Sequence, residues 1–252
     1  MKYIYRLYQL VIALPLIIIA TVITAVVVVL GCSIGSGHFW GYYPGRLWSR
    51  FIIRILLLPI SVEGRENLEE NQSYVFVSNH QGAFDIFVIY GFLGRNFKWM
   101  MKQSLRKAPF IGVACEAAHH VFVDKSSTSK VKATYEKARN TLRDGMSLVV
   151  FPEGSRTFTG HMGTFKKGAF KLADELPLPV VPLTINGSFD VIPRTKNINF
   201  VNWHPLKLTI HKPIAQKGQG PDNVMAVLDE SYQVVMSALE PKYQGYVHNP
   251  DQ

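Results

Sequence analysis

Hydrophobic residues fall along this chain in two rhythms. Residues 10–30 are apolar without a charge, interrupted mildly by Pro15, Thr21 and Thr24, a run long enough to cross a bilayer as a helix. A glycine-rich break follows at 31–37, and beyond it a second apolar helix is expected. There Arg46, Arg50 and Arg54 recur every four residues among Leu47, Trp48, Phe51, Ile52, Ile53, Ile55 and Leu56. That spacing sets three cations on one helical stripe with a wide apolar surface opposite. From residue 61 the pattern changes to short apolar runs alternating with helical segments, the signature of an α/β domain.

The short runs predict strands at 60–62, 74–78, 98–101, 121–124, 148–151, 180–185 and 206–210, with helices at about 84–92, 127–144, 166–176 and 221–239. The helix from 127 puts Val131, Tyr135, Ala138 and Leu142 on one face and Lys132, Arg139 and Arg143 outside, with Gly145 as its stop. Val224, Leu228, Val235 and Leu239 give the last helix a similar inward stripe. No repeat or long linker divides the region. The expected architecture is α/β, with a mixed, largely parallel central sheet flanked by helices and an N-terminal membrane-associated helical element. The expected division is a membrane anchor over 1–60, a domain over 61–240 and a loosely held polar tail over 241–252.

Charge sharpens the membrane reading. The chain carries a net +9, of which residues 1–60 contribute +5 through Lys2, Arg6, Arg46, Arg50 and Arg54, with no acid. The excess is therefore concentrated in the most apolar quarter, which suits an anionic lipid surface. No nucleic-acid-binding module or basic and aromatic stripe is present, so no nucleic-acid partner is expected. The aromatic cluster Phe39-Trp40-Gly41-Tyr42-Tyr43-Pro44 is of the kind found at membrane interfaces, and the helix after it is expected at headgroup level with its arginines toward phosphates. One span plus an interfacial helix, and a hairpin dipping into one leaflet, fit equally well.

Two local patterns mislead. Val29-Leu30-Gly31-Cys32 resembles a lipoprotein cleavage box behind an apolar run too long for a signal peptide, and Gly31-Cys32-Ser33-Ile34-Gly35 spells G-x-S-x-G without a strand before it. Cys32 and Cys115 give no disulfide framework and fit a reducing compartment.

The stretch Asn79-His80-Gln81-Gly82-Ala83-Phe84-Asp85 follows the strand-like run 74–78. Five residues apart, His80 and Asp85 meet only in a turn that folds into a helix, where the carboxylate accepts from one imidazole nitrogen and the other faces a substrate. An isolated match is more often a core histidine beside a capping aspartate, so the downstream residues decide. Phe151-Pro152-Glu153-Gly154-Ser155-Arg156-Thr157 again follows a buried-strand run. Pro152 and Gly154 turn the chain there and present Arg156 at a strand's C-terminal edge, where a guanidinium holds a phosphate bidentately. Phe165-Lys166-Lys167-Gly168-Ala169-Phe170 reads as a helix start whose lysines suit an anion or a solvated face. His119 and His120 are adjacent, and His161, His204 and His211 lack clustered partners, so no metal is expected.

Together these blocks resemble the glycerophospholipid acyltransferases typified by the 1-acyl-sn-glycerol-3-phosphate (lysophosphatidic acid) acyltransferases. N-H-x-x-x-x-D is matched by Asn79, His80 and Asp85, and F-P-E-G-[TS]-R-[ST] by Phe151 to Thr157. K-x-x-L-x-x-x-P-x-x-G is matched by Lys102, Leu105, Pro109 and Gly112, F-K-x-G-A-F by Phe165 to Phe170, and V-P-x-x-I by Val181 to Ile185. The blocks run in family order over roughly residues 61–215. One departure stands at Lys125, where the family carries arginine; lysine keeps the charge and loses the planar fork.

The resemblance implies transfer of a fatty acyl group from acyl-CoA or acyl-carrier protein, as co-substrate and without a cofactor, to a hydroxyl of a lysophospholipid. His80 is the implied general base and Asp85 its partner, with no covalent intermediate. Glu153, Gly154 and Arg156 are implied at the acceptor, Arg156 on the phosphate and Glu153 holding the loop or a glycerol oxygen. Lys102, Lys125 and Lys166 are implied as phosphate contacts, and Asn79 as support of the turn. The implied partners are a membrane phospholipid surface, the lysophospholipid and the acyl donor; the implied location is the cell membrane with the catalytic domain facing the cytoplasm.

Overall fold

Seven strands form one sheet in the order β1-β7-β6-β2-β5-β3-β4. They are β1 (Ile60–Glu63), β2 (Val75–Ser78), β3 (Phe97–Lys102), β4 (Val121–Val123), β5 (Ser147–Val150), β6 (Val180–Asn186) and β7 (Leu206–Ile210). Neighbours run parallel except β6 and β7. The molecule is known from a computed structural model that describes residues 2–124, 126–143, 146–195 and 199–245. Every residue of β2, β5 and β6 is buried, as parallel strands covered on both faces require. All seven strands fall where the hydrophobic pattern places them.

The helices are α1 (Lys2–Tyr8), α2 (Leu14–Ile34), α3 (Gly37–Trp40), α4 (Tyr43–Ile55), α5 (Phe84–Phe92), α6 (Ile111–Ala117), α7 (Thr128–Arg143), α8 (Gly168–Glu175), α9 (Ser188–Val191) and α10 (Pro221–Ser237). A π-helical turn, Gln9–Ala13, joins α1 to α2 just ahead of Pro15, which removes a donor from the ladder. The resulting helix, Lys2–Ile34, is long and apolar enough to cross a membrane. It also runs past the expected break at Gly31 and ends at Gly35. Ser33 therefore lies inside a helix, its hydroxyl donating to the Val29 carbonyl at 2.8 Å, and no nucleophile elbow forms there.

The helix α4 is continuous with the core. Ile52, Ile53 and Leu56 join Phe76, Val88, Ile89 and Phe97 in one apolar cluster between α4, α5 and the sheet. Two expectations for this segment change. Tyr42 is not at an interface; it is 1% exposed and packs its ring against Tyr90 and Phe97. Arg50 is turned inward as well, donating from Nε to the Gly91 carbonyl at 2.7 Å. The last carbonyls of a buried helix need donors, and α5 takes this one from α4.

Three short helices, α3, α6 and α9, have no counterpart in the hydrophobic pattern, being too brief to show a period. The helix expected from 166 begins two residues later, because the Lys166 amide is drawn to the Pro152 carbonyl at 3.0 Å. Asp144, Gly145 and residues 246–252 lie outside the described residues, but the start of the expected tail is docked. Tyr243 is buried, edge-on to Phe189, and donates its hydroxyl to Asp190 at 2.9 Å.

Candidate active site

The sheet order explains how two sequence-distant motifs meet. Strands β2 and β5 are parallel neighbours with Val77 opposite Val150, so Asn79-His80 and Phe151-Pro152 leave the C-terminal edge side by side, where open α/β sheets place ligand sites. The first connection is five residues, 79–83, before α5 begins. Asp85 therefore falls in the first turn of α5, where a carboxylate is favoured by the helix dipole.

That turn closes the histidine–aspartate pair. His80 Nδ1 lies 2.8 Å from Asp85 Oδ2, and the same oxygen accepts the Gly82 amide at 2.9 Å. Asp85 is fully buried, whereas His80 keeps 14% of its side chain exposed. With a carboxylate on Nδ1, that nitrogen carries the proton and Nε2 keeps its lone pair. The imidazole is stacked on Phe151, with centroids 3.9 Å apart and planes 10° apart, and Trp99 stacks on the other side of Phe151. The ring is thus fixed both at its edge and on its face.

Asn79 extends the β2–β6 ladder with its side chain, donating Nδ2–H to the Ile185 carbonyl at 2.8 Å and accepting the Ile185 amide at 2.9 Å. It anchors the residue before His80 to the adjacent strand.

Glu153 is 2% exposed. Its Oε1 accepts the His80 amide at 2.7 Å and its Oε2 the Gly163 amide at 2.8 Å. The Thr157 amide in turn donates to the His80 carbonyl at 3.0 Å. Both backbone polar groups of His80 are therefore held by the 151–157 loop. Gly154 makes this loop possible with φ +78°, a conformation that strains any L side chain, and a Cβ there would stand 2.9 Å from Lys166 Nζ.

Burial raises the Glu153 carboxyl from 4.5 to about 8, with Asp85 adding to the rise, against the two backbone donors and Lys166, which lower it. The folded protein holds this proton more tightly than the unfolded chain, so the associated stability is full below 4.5 and is lost as pH rises through about 8. In Glu153→Gln the denaturant midpoint should be lower at acid pH but should fall less between pH 5 and 9 than that of the native protein. Parallel profiles for the two proteins would remove Glu153 from the pH dependence.

The remaining expected residues are spread around this centre. Arg156 is half-buried on the rim, and Lys166 lies beside Gly154 and within electrostatic reach of Glu153. Lys102 is exposed at the end of β3, two strands from β2 in the sheet. Lys125 lies outside the described residues. Two residues that the motifs do not single out also tie the site together. Gln81 donates from Nε2 to the Gly160 carbonyl at 2.6 Å. Arg194 donates to the Arg156 carbonyl at 2.5 Å, with its guanidinium carbon 3.7 Å from the centre of the Phe158 ring. Arg194 belongs to the irregular segment after β6, where sequence offers no period and no motif. Among the described residues no group of three His, Cys, Asp or Glu side chains is placed to hold a metal.

A family model described as Acyltransferase matches residues 59–186. The chain is 33% identical over 174 residues to the chloroplastic 1-acyl-sn-glycerol-3-phosphate acyltransferase of Arabidopsis thaliana, an alignment covering 69% of this chain and 48% of that protein. It is 30% identical over 187 residues to the alpha form of 1-acyl-sn-glycerol-3-phosphate acyltransferase from Mus musculus, covering 71% and 65%. The chain thus spans about half to two thirds of the length of these relatives. The crystal structure of the 1-acyl-sn-glycerophosphate (LPA) acyltransferase PlsC from Thermotoga maritima superposes with a TM-score of 0.65 at 27% identity, covering 75% of this chain and 74% of that one.

Proposed function

The chain belongs to the Acyltransferase family, which its model matches over residues 59–186, and on that premise we propose that it moves a fatty acyl group from acyl-CoA or acyl-carrier protein to the sn-2 hydroxyl of lysophosphatidic acid, giving phosphatidic acid. The observation that carries the reading is the His80–Asp85 pair, with Nδ1 engaged at 2.8 Å and the His80 side chain 14% exposed. The printed names of relatives at 30% and 33% identity support the choice of acceptor.

The geometry supports general-base chemistry at His80. Nε2 of His80 takes the proton as the hydroxyl oxygen attacks the thioester carbonyl. The Asp85 carboxylate stabilises the imidazolium that forms. When the tetrahedral species collapses, the C–S bond breaks and the thiol leaves with the proton returned by His80. General-base help of this kind is worth about 10²- to 10⁴-fold. Among the described residues the side-chain hydrogen-bond partner of His80 is Asp85, with no serine or cysteine beside it, which favours direct transfer. Glu153 acts through the backbone of His80 as a positioning residue, and Arg156, Lys102 and Lys166 supply cations for the acceptor's phosphate.

The apolar Lys2–Ile34 helix fits an enzyme that meets lipid by lateral diffusion, with its catalytic domain on the cytoplasmic face of the cell membrane, where acyl thioesters are made. The test is thiol release by the purified full-length protein, using acyl-CoA and acyl-carrier protein in turn against lysophosphatidic acid, glycerol 3-phosphate and lysophosphatidylcholine. Lysophosphatidic acid should support turnover and yield phosphatidic acid. Acceptor-independent release, or equal use of the choline lipid, overturns the assignment.

A further inference from the structure

We propose that the segment from Lys102 to Val113 is a second lipid-inserting surface, separate from the N-terminal helix, with Phe110 and Val113 entering the acyl region and Lys107 at anionic headgroups. Leu105, Phe110, Ile111 and Val113 are exposed, Phe110 at 54% and Val113 at 60%. Phe110 caps the start of α6 and Val113 lies in its first turn, so the two exposed side chains stand close together in the chain. A cluster of large apolar side chains left in water on a globular domain marks an interaction surface.

Two features show that the chain is built to present these side chains. Phe110 has φ +60° and ψ −44°, a conformation that strains a bulky residue, and burial of its own ring does not offset this. Gly112 is what lets the loop close so tightly, since a Cβ there would sit 2.1 Å from the Arg106 carbonyl oxygen. Pro109 and Gly112 fold the segment back, and the strained Phe110 stands exposed on it.

The occupant is argued from continuity and charge. The other face of α6 packs on α2: Ala114, Cys115 and Ala118 line a cavity with Ala25 and Val28, and Ile111 stands at its edge. Beyond that contact α2 exposes Ile18, Ile19, Ile23 and Leu30. The patch on α6 therefore continues the apolar surface of α2. Between residues 102 and 113 stand Lys102, Arg106 and Lys107; Arg106 is paired with Glu116 on α6 at 3.1 Å, and Lys107 is exposed beside the apolar tip. An apolar tip flanked by cations is the pattern of a surface that sits in an anionic bilayer interface. A single helix in a bilayer is free to roll about its own axis. A second contact to one side removes that freedom and holds the C-terminal sheet edge, where Lys102 ends β3, at the headgroups.

The test uses the full chain reconstituted in phosphatidylcholine vesicles with brominated acyl chains. Tryptophan is added as Phe110→Trp and, as a control on the exposed start of α10, as Asp222→Trp. The emission added at position 110 should be largely quenched and that added at position 222 retained. Val113→Asp in the Phe110→Trp background should restore the emission while α2 still keeps the protein on vesicles. Phosphatidylglycerol at low salt should deepen the quenching, and Lys107→Gln should lose that gain. Equal quenching at 110 and 222 overturns the proposal. A concentration-dependent blue shift of Phe110→Trp without lipid, unquenched by bromine, also overturns it and assigns the face to a second copy of the chain. Neither outcome depends on acyl transfer.

Discussion

His80→Ala should lower the rate of acyl transfer to lysophosphatidic acid by about 10²- to 10⁴-fold, the usual worth of a positioned general base. The fold should survive, because the site grips the backbone of residue 80: its amide reaches Glu153 and its carbonyl accepts from Thr157. What is lost is the ring, with its stack on Phe151 and its bond to Asp85. The Asp85 oxygen still keeps the Gly82 amide. KM for the acceptor should change little, since the cations proposed for its phosphate are separate side chains. Unchanged kcat, measured by thiol release on protein with native circular dichroism, would sink the role given to His80.

Asp85→Asn should reduce kcat by a comparable factor for a different reason. The amide oxygen can take the place of Oδ2 and accept from Nδ1 and the Gly82 amide, so the histidine tautomer is preserved while the negative charge is gone. The imidazolium formed during attack then has no counterion in a buried setting, where its stabilisation matters most. The amide nitrogen must occupy the position of Oδ1, which is buried without a hydrogen-bond partner. An unsatisfied buried donor costs about 1–3 kcal/mol, so the thermal midpoint should fall as well. The discriminating measurement is kcat on the folded fraction. A variant that loses stability but keeps full turnover would make Asp85 structural.

Much of this was legible in the sequence, for identifiable reasons. Strands β2, β5 and β6 are unbroken apolar runs because both faces of the sheet are covered, and such runs stand out from any loop. The start of α5 was readable because Asp85 opens an apolar segment directly after the small residues Gly82 and Ala83. The meeting of His80 with Asp85 needed only local chain geometry. Glu153 was harder. Its motif said that it belongs to the site, whereas its two backbone contacts depend on β5 lying next to β2, a pairing that no local pattern encodes. Arg194 and Gln81 were missed for the same reason. Each serves a carbonyl of the 151–160 region from a part of the chain whose position is set by tertiary packing. Tyr42 and Arg50 were read toward lipid because composition cannot distinguish a residue beside a membrane from one beside α5.

The double hold on residue 80 has a consequence for comparing or recombining proteins of this kind. A loop that supplies an acceptor to the His80 amide and a donor to its carbonyl is not a separate module from the turn it holds. The two sequence blocks are one structural unit, though sheet and helix separate them along the chain. Chimeras that exchange residues 79–85 without residues 151–157 would join halves shaped against different counterparts. Grafting should therefore move both blocks together or neither.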